Sequence, residues 1–483
     1  MSVGGSLELP FAFDPTDHAP ARGVLVAGTR SGCGKTSVSL GLMAALARRG
    51  LDVRPFKAGP DFIDPLHHAG ASGRPSHNLD GWMLDRDAVR GIVARNMAPG
   101  SVAVVEGVMG LFDGASGSGP TGSSEELARW LGLPVLLVAD AASMARSAAA
   151  MVKGYLEFQP NLRFAGVVLN RVGSPAHAEL LQEALEASLP ESANPAPLLG
   201  CLPRASGLDL PSRHLGLVTP EDSRCNAVYA ALADWVEAAL DLDALLASLP
   251  ALGMALGSGE PRPRTAPGQR FRLGVARDRA FCFCYPENLR LLEAVGAEIV
   301  FFSPLEESGL PPALDGLYLP GGYPELHVSR LSANRSMCQA VRGFCASGRP
   351  VYAECGGFLY LLSSLTDARG KDHVLCGVYS GRAAMRERFR ALGYRQVTLS
   401  RSGLFGPQGL TARGHEFHYS ELCFDPGGNN VYSVADRKGR SVSTGGWLAG
   451  PRDNVLGSYV HLHFASCPSF AEALARACMG NRV

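Results

Sequence analysis

The sequence predicts a two-domain α/β protein, and three observations lead there. Between Gly23 and Leu249, the short apolar runs "GVLVAG", "VAVVEG", "LPVLLVAD" and "FAGVVLN" alternate with amphipathic stretches, as parallel strands covered by helices do. A second series, "FRLGVA", "AEIVFF", "LDGLYLPGG" and "RPVYAEC", starts after Arg270. Between the two lies "GMALGSGEPRPRTAPGQR", rich in the glycine, proline and charge of a linker. The expected organisation is a tail over residues 1–20, a first domain over 21–250, a linker over 251–270 and a second domain over 271–483.

A chain of 483 residues can bury a core in each domain. Its 45 acidic and 45 basic residues cancel, so net charge points to neither nucleic acid nor a membrane surface, and an acidic ligand has to be met locally. The opening "MSVGGSLELPFAFDPTDHAP" has no basic start followed by an apolar core, and no later run is long enough to span a bilayer. A cytoplasmic protein is expected. Twelve cysteines without paired spacing read as reduced core residues, with one exception below. "FCFCY", with Cys282 and Cys284, is expected to be strand core.

In the first domain "VLVAGTRSGCGKTSVSLGLMAAL", Val24 to Leu46, runs from strand through a glycine-rich loop into a helix. The pattern G-x-x-x-x-G-K-[ST] would place glycine at position 29, where Thr29 stands, with Gly28 one residue early. Gly32, Gly34, Lys35 and Thr36 still supply close-approach amides, a phosphate-neutralising ammonium and a magnesium-binding hydroxyl. A glycine-rich turn with a chance lysine is the plainer alternative, and the flanking strand and helix argue against it. Thr29, Gly32, Gly34, Lys35 and Thr36 are therefore the candidate ATP contacts.

"VRPFKAGPDFIDP" places Lys57, Asp61 and Asp64 after a short strand, and "VAVVEG" ends on Glu106. Open α/β sheets gather ligands at the carboxyl ends of their strands, so Glu106, with Thr36 and Asp61, is the expected Mg2+ set. Asp64 is either a substrate contact or a cap. Asn170 ends a strand and reads a base edge or makes a turn. His67 and His68 receive no role.

In the second domain "RPVYAECGGFLYLL" runs strand, turn, helix with Cys355 at the tip, as a nucleophile elbow does; the helix N-terminus is expected to lower the thiol pKa. Gly321 and Gly322, just after a strand, offer oxyanion-binding amides. "GSYVHLHFA" presents His461 and His463 on one side of a strand, and either can serve Cys355 as base. A buried core cysteine is the plainer alternative; a nucleophile, a base and oxyanion donors together outweigh it.

On these residues, the "G-T-x-S-G-x-G-K-T" loop resembles dethiobiotin synthetase and its relatives, whose enzymes activate a carboxyl or carbamate with ATP. The partitioning ATPases of that superfamily carry a signature lysine where this chain has Arg30. The second half resembles a class I glutamine amidotransferase domain of the branch with a Y-x-H base motif, which makes His461 the base through Tyr459-Val460-His461. His463 stands where most such domains hold a triad glutamate. The order of "GTRSGCGKT", "PFKAGPDFIDP", "VEGVMGLFDG", "LPSRHLGLV", "PGGYPEL", "YAECGGFLYL", "GHEFHYSE" and "SYVHLHFA" resembles the cobyrinic acid a,c-diamide synthase family over nearly the whole chain.

That resemblance implies ATP-dependent amidation of the a and c acetates of a corrin through acyl phosphates, with L-glutamine supplying nitrogen, Mg2+ as cofactor, and room for a homodimer. Hydrogenobyrinic acid and nickel-sirohydrochlorin are alternative macrocycles on the same scaffold. Arg213, His214 and Arg395 are candidate contacts for the corrin carboxylates. "ARGHEFHYSE" is dense in His and Glu, but a strand near the domain interface fits it better than a metal site. A different class of reading, a nucleotide-switched regulatory protein with an inactive amidotransferase domain, is opposed by the intact Cys355 and His461 and by Arg30.

Overall fold

The computed structural model describes residues 19–189, 196–204, 208, 223–253, 270–423 and 429–480. Arg213, His214, most of the tail and most of the expected linker lie outside them. Strands of the first domain are β1 (Arg22–Gly28), β2 (Val53–Ala58), β3 (His77–Leu79), β4 (Val102–Glu106), β5 (Val135–Asp140), β6 (Phe164–Val172) and β7 (Leu198–Pro203). They form a sheet in the order β3-β2-β4-β1-β5-β6-β7, every pair parallel. Because such a sheet is buried on both faces, its strands are continuous apolar runs, as in the wholly buried "VAVVE" of β4. The helix α1 (Lys35–Arg48) follows the phosphate loop, and α2 (Ile63–Ser72) follows "PDF".

The second domain opens with β8 (Phe271–Ala276), β9 (Ala297–Phe302), β10 (Gly316–Leu319) and β11 (Val351–Glu354). Its main sheet runs Asn429–Asn430, Gly446–Ala449, Val455–Ser458, β11, β10, β8, β9, with parallel pairing from Val455–Ser458 to β9. A further antiparallel sheet, of Tyr432–Asp436, Ala391–Leu399, Thr411–His418 and His461–Leu462, brings "GHEFH" beside the histidine segment; His415 pairs with His461.

"FCFCY" departs from its expectation. It is a loop between β8 and the helix Pro286–Ala294, tied by Phe283 N–H to Gly321 O at 3.0 Å. Phe281 and Phe283 make only isolated bridges, to Asp278 and Gly321, with no ladder to extend them, and proline at 286 starts the helix.

The two domains meet directly. The Tyr394 hydroxyl donates to the buried carboxylate of Asp80 at 2.8 Å, and its ring stacks on Trp82 at 4.8 Å. Arg413 donates to Trp82 O at 2.8 Å, and Arg95 pairs with Glu287 at 2.7 Å. Among the described residues no helix is long and apolar enough to cross a membrane.

Candidate functional site

The phosphate loop explains its own spelling. A side chain at Gly28 would put its Cβ 2.2 Å from Cys33 Sγ and 2.9 Å from Lys35 Cγ, so the glycine is required at the strand's end and not one residue later. Thr29 N–H bonds to Val138 O at 3.1 Å. Gly32 and Gly34 take φ of 75° and 100°, which glycine alone adopts without strain. Asn170 braces this loop: its amide donates to Cys33 O at 2.9 Å, and its Oδ1 accepts from Arg171 N–H at 2.8 Å. One donor and one acceptor of the Asn170 amide are thus engaged by backbone. Lys35 Nζ rests on Arg30 O at 3.2 Å; burial lowers its pKa.

At the strand ends the charged residues converge. Glu106, fully buried, accepts on Oε1 from the Thr36 hydroxyl at 2.7 Å and the Lys57 ammonium at 2.8 Å, and its Oε2 meets His68 Nε2 at 2.7 Å. Lys57 also pairs with Asp64 at 2.7 Å. Burial pushes the Glu106 carboxyl up, but the Lys57 charge and the His68 hydrogen bond outweigh it and hold it well below the usual range. Asp64 goes the other way, to about 6, through burial and then the Glu106 charge, although Lys57 opposes both. One ammonium cannot fully compensate two buried carboxylates, and Glu106 takes the larger share. Asp61 Oδ1 is used at the start of α2, accepting from Ile63 N–H at 2.7 Å.

Hard oxygen donors converging on a phosphate-loop hydroxyl suit Mg2+, so Thr36 and Glu106 fit that ion, with Asp61 on the neighbouring turn. Lys57 and His68 were not among the expected site residues. His68 was legible: Asp64 and His68 are four apart, on one face of α2.

In the second domain Cys355 is a strained elbow, with φ 43° and ψ −100° between β11 and the helix Gly356–Leu361. The strain is held by tight packing: a Cβ on Gly357 would lie 2.0 Å from Leu319 O, and one on Gly356 2.9 Å from Gly322 N. Cys355 N–H donates to Ser458 O at 2.7 Å, tying the elbow to the strand that leads to His461. His461 lies against Gly321, where a Cβ would be 2.2 Å from His461 Cε1. Cys355, Gly321, Gly322 and His461, the residues expected as nucleophile, oxyanion donors and base, are therefore gathered.

The thiol corrects one expectation. Burial pushes it up, Glu325 and Glu416 add to that, and the Gly356 backbone N–H at the helix start does not compensate. His461 is depressed to about 3 by burial, then by His415 and His418. At neutral pH Cys355 is therefore a thiol and His461 a neutral imidazole. As placed, Cys355 Sγ contacts Phe417 O at 3.9 Å. His463, two residues beyond the Y-x-H segment, sits one residue past the short strand His461–Leu462.

Glu354, just before the nucleophile, was missed. It is fully buried and accepts from Tyr318 OH at 2.8 Å, Tyr352 OH at 2.8 Å and Leu462 N–H at 2.9 Å, so it ties β10, β11 and the histidine segment together. Arg395 is as placed an internal partner rather than an open carboxylate receptor, buried with Nε 2.6 Å from Glu416. Glu416 also binds His418 at 3.0 Å and the Thr444 hydroxyl. Among the described residues no three or more His, Cys, Asp or Glu side chains are grouped to hold a metal by themselves.

Residues 24–218 match the CobQ/CobB/MinD/ParA nucleotide binding domain family, and residues 272–468 match the CobB/CobQ-like glutamine amidotransferase domain family. The chain is 45% identical to the cobyrinate a,c-diamide synthase of Syntrophotalea carbinolica, covering 95% of this chain and 98% of that one. It is 39% identical to the cobyrinate a,c-diamide synthase of Salmonella typhimurium (93% and 96%) and 42% identical to the hydrogenobyrinate a,c-diamide synthase of Stutzerimonas stutzeri (94% and 98%).

Proposed function

The chain belongs to the a,c-diamide synthase family, glutamine amidotransferases of cobalamin biosynthesis, and on that premise we propose how its two halves divide the reaction. ATP lies on the loop amides from Gly32 to Thr36, with Lys35 neutralising phosphate charge. Mg2+, held by Thr36 and Glu106 with Asp61, would screen the phosphates. An acetate carboxylate of the macrocycle attacks the γ-phosphorus, giving an acyl phosphate and ADP. Ammonia then attacks the acyl carbon, and inorganic phosphate leaves with the amide formed. Asp64, raised to about 6 and so mostly ionised at neutral pH, stands beside Lys57 to take the proton that ammonia gives up.

Nitrogen comes from glutamine in the second half. Cys355 Sγ attacks the side-chain amide carbon, His461 takes the thiol proton and passes it to the departing ammonia, and the Gly321 and Gly322 region receives the oxyanion. Water then releases glutamate from the thioester. The macrocycle we assign is cobyrinic acid; hydrogenobyrinic acid is the second reading, favoured by the 42% identity to the synthase named for it. Arg213 and His214 stay assigned to its carboxylates.

What carries the reading is the cluster of Thr36, Glu106, Lys57 and Asp64 in the same chain as a strained Cys355 elbow. The test supplies ATP, Mg2+ and glutamine with cobyrinic acid, hydrogenobyrinic acid or nickel-sirohydrochlorin, and follows products by mass spectrometry. Diamide from cobyrinic acid is expected. A preference for another macrocycle changes the assignment, and amide from none sinks it.

A further inference from the structure

An open cleft of about 500 Å³ adjoins the start of the phosphate loop and takes no part in the reaction derived above. Thr29, Arg30 and Asp140, at the end of β5, supply its polar lining, and Met144, Met151 and Tyr155 its apolar lining. Met151 and Tyr155 belong to the helix Arg146–Phe158. The Tyr155 hydroxyl donates to Thr29 O, and Lys35 Nζ rests on Arg30 O at 3.2 Å. The cleft therefore borders the place where Lys35 meets phosphate.

Apolar surface continues beyond it. The Tyr155 ring stacks on Phe112 at 5.5 Å, and Phe112 lies 4.6 Å from Phe158, which is 71% exposed. Met109, three residues after Glu106, is 39% exposed and held at φ 50°, in the left-handed region. Backbone strain of this kind gathers at ligand clamps. The turn that carries Met109 is pressed on the phosphate loop: a Cβ on Gly110 would lie 3.2 Å from Thr29 O, and Leu111 N–H donates to Gly28 O at 2.8 Å.

Charge at the cleft is unbalanced. Arg30 and Arg171 both donate to Asp140 Oδ2 at 2.6 Å, so two guanidiniums share one carboxylate. Asp113, whose charge bears on Tyr155, is used in its own turn, its Oδ2 accepting from Gly110 N–H at 2.8 Å. Arg30 keeps 60% of its side chain exposed. A surplus positive charge is thus set at the rim of a thioether and ring surface, which suits a ligand with an apolar face and an anionic edge.

We propose that this cleft seats one edge of the macrocycle, with its ring face on Met144, Met151 and Tyr155 and a carboxylate that is not reacting on Arg30. An acetate is thereby presented to the phosphate above Lys35. The proposal rests on the function argued above. Contact in the cleft is noncovalent, and its size is that of a small-molecule site, enough for part of the ring.

Steady-state kinetics test this with the full-length enzyme, ATP, Mg2+, glutamine and the macrocycle that the wild type amidates, each substrate varied in turn. Arg30→Gln should raise the KM for the macrocycle about tenfold, the worth of one charge-assisted hydrogen bond at an exposed rim. Arg30→Lys, which keeps the charge without the fork, should recover part of that loss. Met151→Trp, which fills the cleft, should raise the same KM. The KM for ATP and the rate of glutamine hydrolysis should stay at wild-type values in all three. A higher KM for ATP with an unchanged KM for the macrocycle would assign the cleft to the nucleotide and overturn the proposal. A smaller particle in size-exclusion chromatography of Met151→Trp, again with that KM unchanged, would assign it to a second copy of the chain and overturn it too, as would variants that change nothing. These outcomes leave the proposed function standing, whereas a wild type that amidates no macrocycle overturns the function as well.

Discussion

The Thr36 hydroxyl donates to Glu106 Oε1 at 2.7 Å, joining the first turn after the phosphate loop to the end of β4. The same oxygen holds Lys57. Glu106→Gln removes the charge that both gather around. Amidation should disappear with glutamine and with ammonium alike, while glutamine hydrolysis persists. The protein should also lose roughly 3 kcal/mol of stability, because Lys57 is left buried with Asp64 as its remaining carboxylate partner. Thermal unfolding and both assays check this.

Cys355→Ala should abolish glutamine-dependent amidation and glutamine hydrolysis but keep amidation supported by ammonium salts. Gly321→Ala should do the same by a different route, since its Cβ would press within 2.2 Å of His461 Cε1 and move the base. Loss of the ammonium-supported reaction in either variant contradicts two separable sites.

Gly28→Ala tests the displaced glycine. The new Cβ would strike Cys33 Sγ and the stem of Lys35, so the loop must shift at its lysine. The KM for ATP should rise at least about tenfold, equivalent to about 1.4 kcal/mol. Glutaminase kinetics should not move. An unchanged KM would show that the loop tolerates a side chain there.

Stability should fall steeply in acid. His77, His415, His461 and His463 have folded pKa values of about 4, 4, 3 and 3, below their ordinary 6.5. The unfolded chain therefore binds protons that the folded one refuses, and these groups remove stability as pH falls from 6.5 toward 3. Glu325 and Glu354, raised to about 7, and Asp64, raised to about 6, have the opposite sign. Their contribution is full below their unfolded values near 4 and is lost as pH rises through 6 to 7. The two sets oppose each other between about pH 4.5 and 6.5, and below that window the histidines still change and are joined by the depressed carboxyls of Glu106 and Asp436, whose stabilisation is lost there. The unfolding midpoint should vary gently down to about pH 4.5 and then drop. His463→Leu should soften that drop, and a midpoint falling uniformly from pH 7 would contradict the assignment.

Local features of the chain determined most of the plan. β-Branched runs, a glycine-rich loop between strand and helix, and a small-residue elbow at Cys355 are decided by neighbours within a few residues, so periodicity and backbone sterics disclose them. His68 was half visible, through its spacing from Asp64 on α2. What the chain could not disclose depends on long-range burial. The thiol and His461 lie in a low-dielectric interior, which reversed the local helix-terminus argument about the Cys355 pKa. Asn170 and Arg395 meet partners 137 and 21 residues away, which makes the one a brace of the phosphate loop and buries the other against Glu416. The contact of Phe62 with His461 joins positions almost 400 residues apart. Hydrogen bonds and desolvation act through space rather than along the chain, so the folded arrangement alone decided which charges were shared and which side chains of the two domains met.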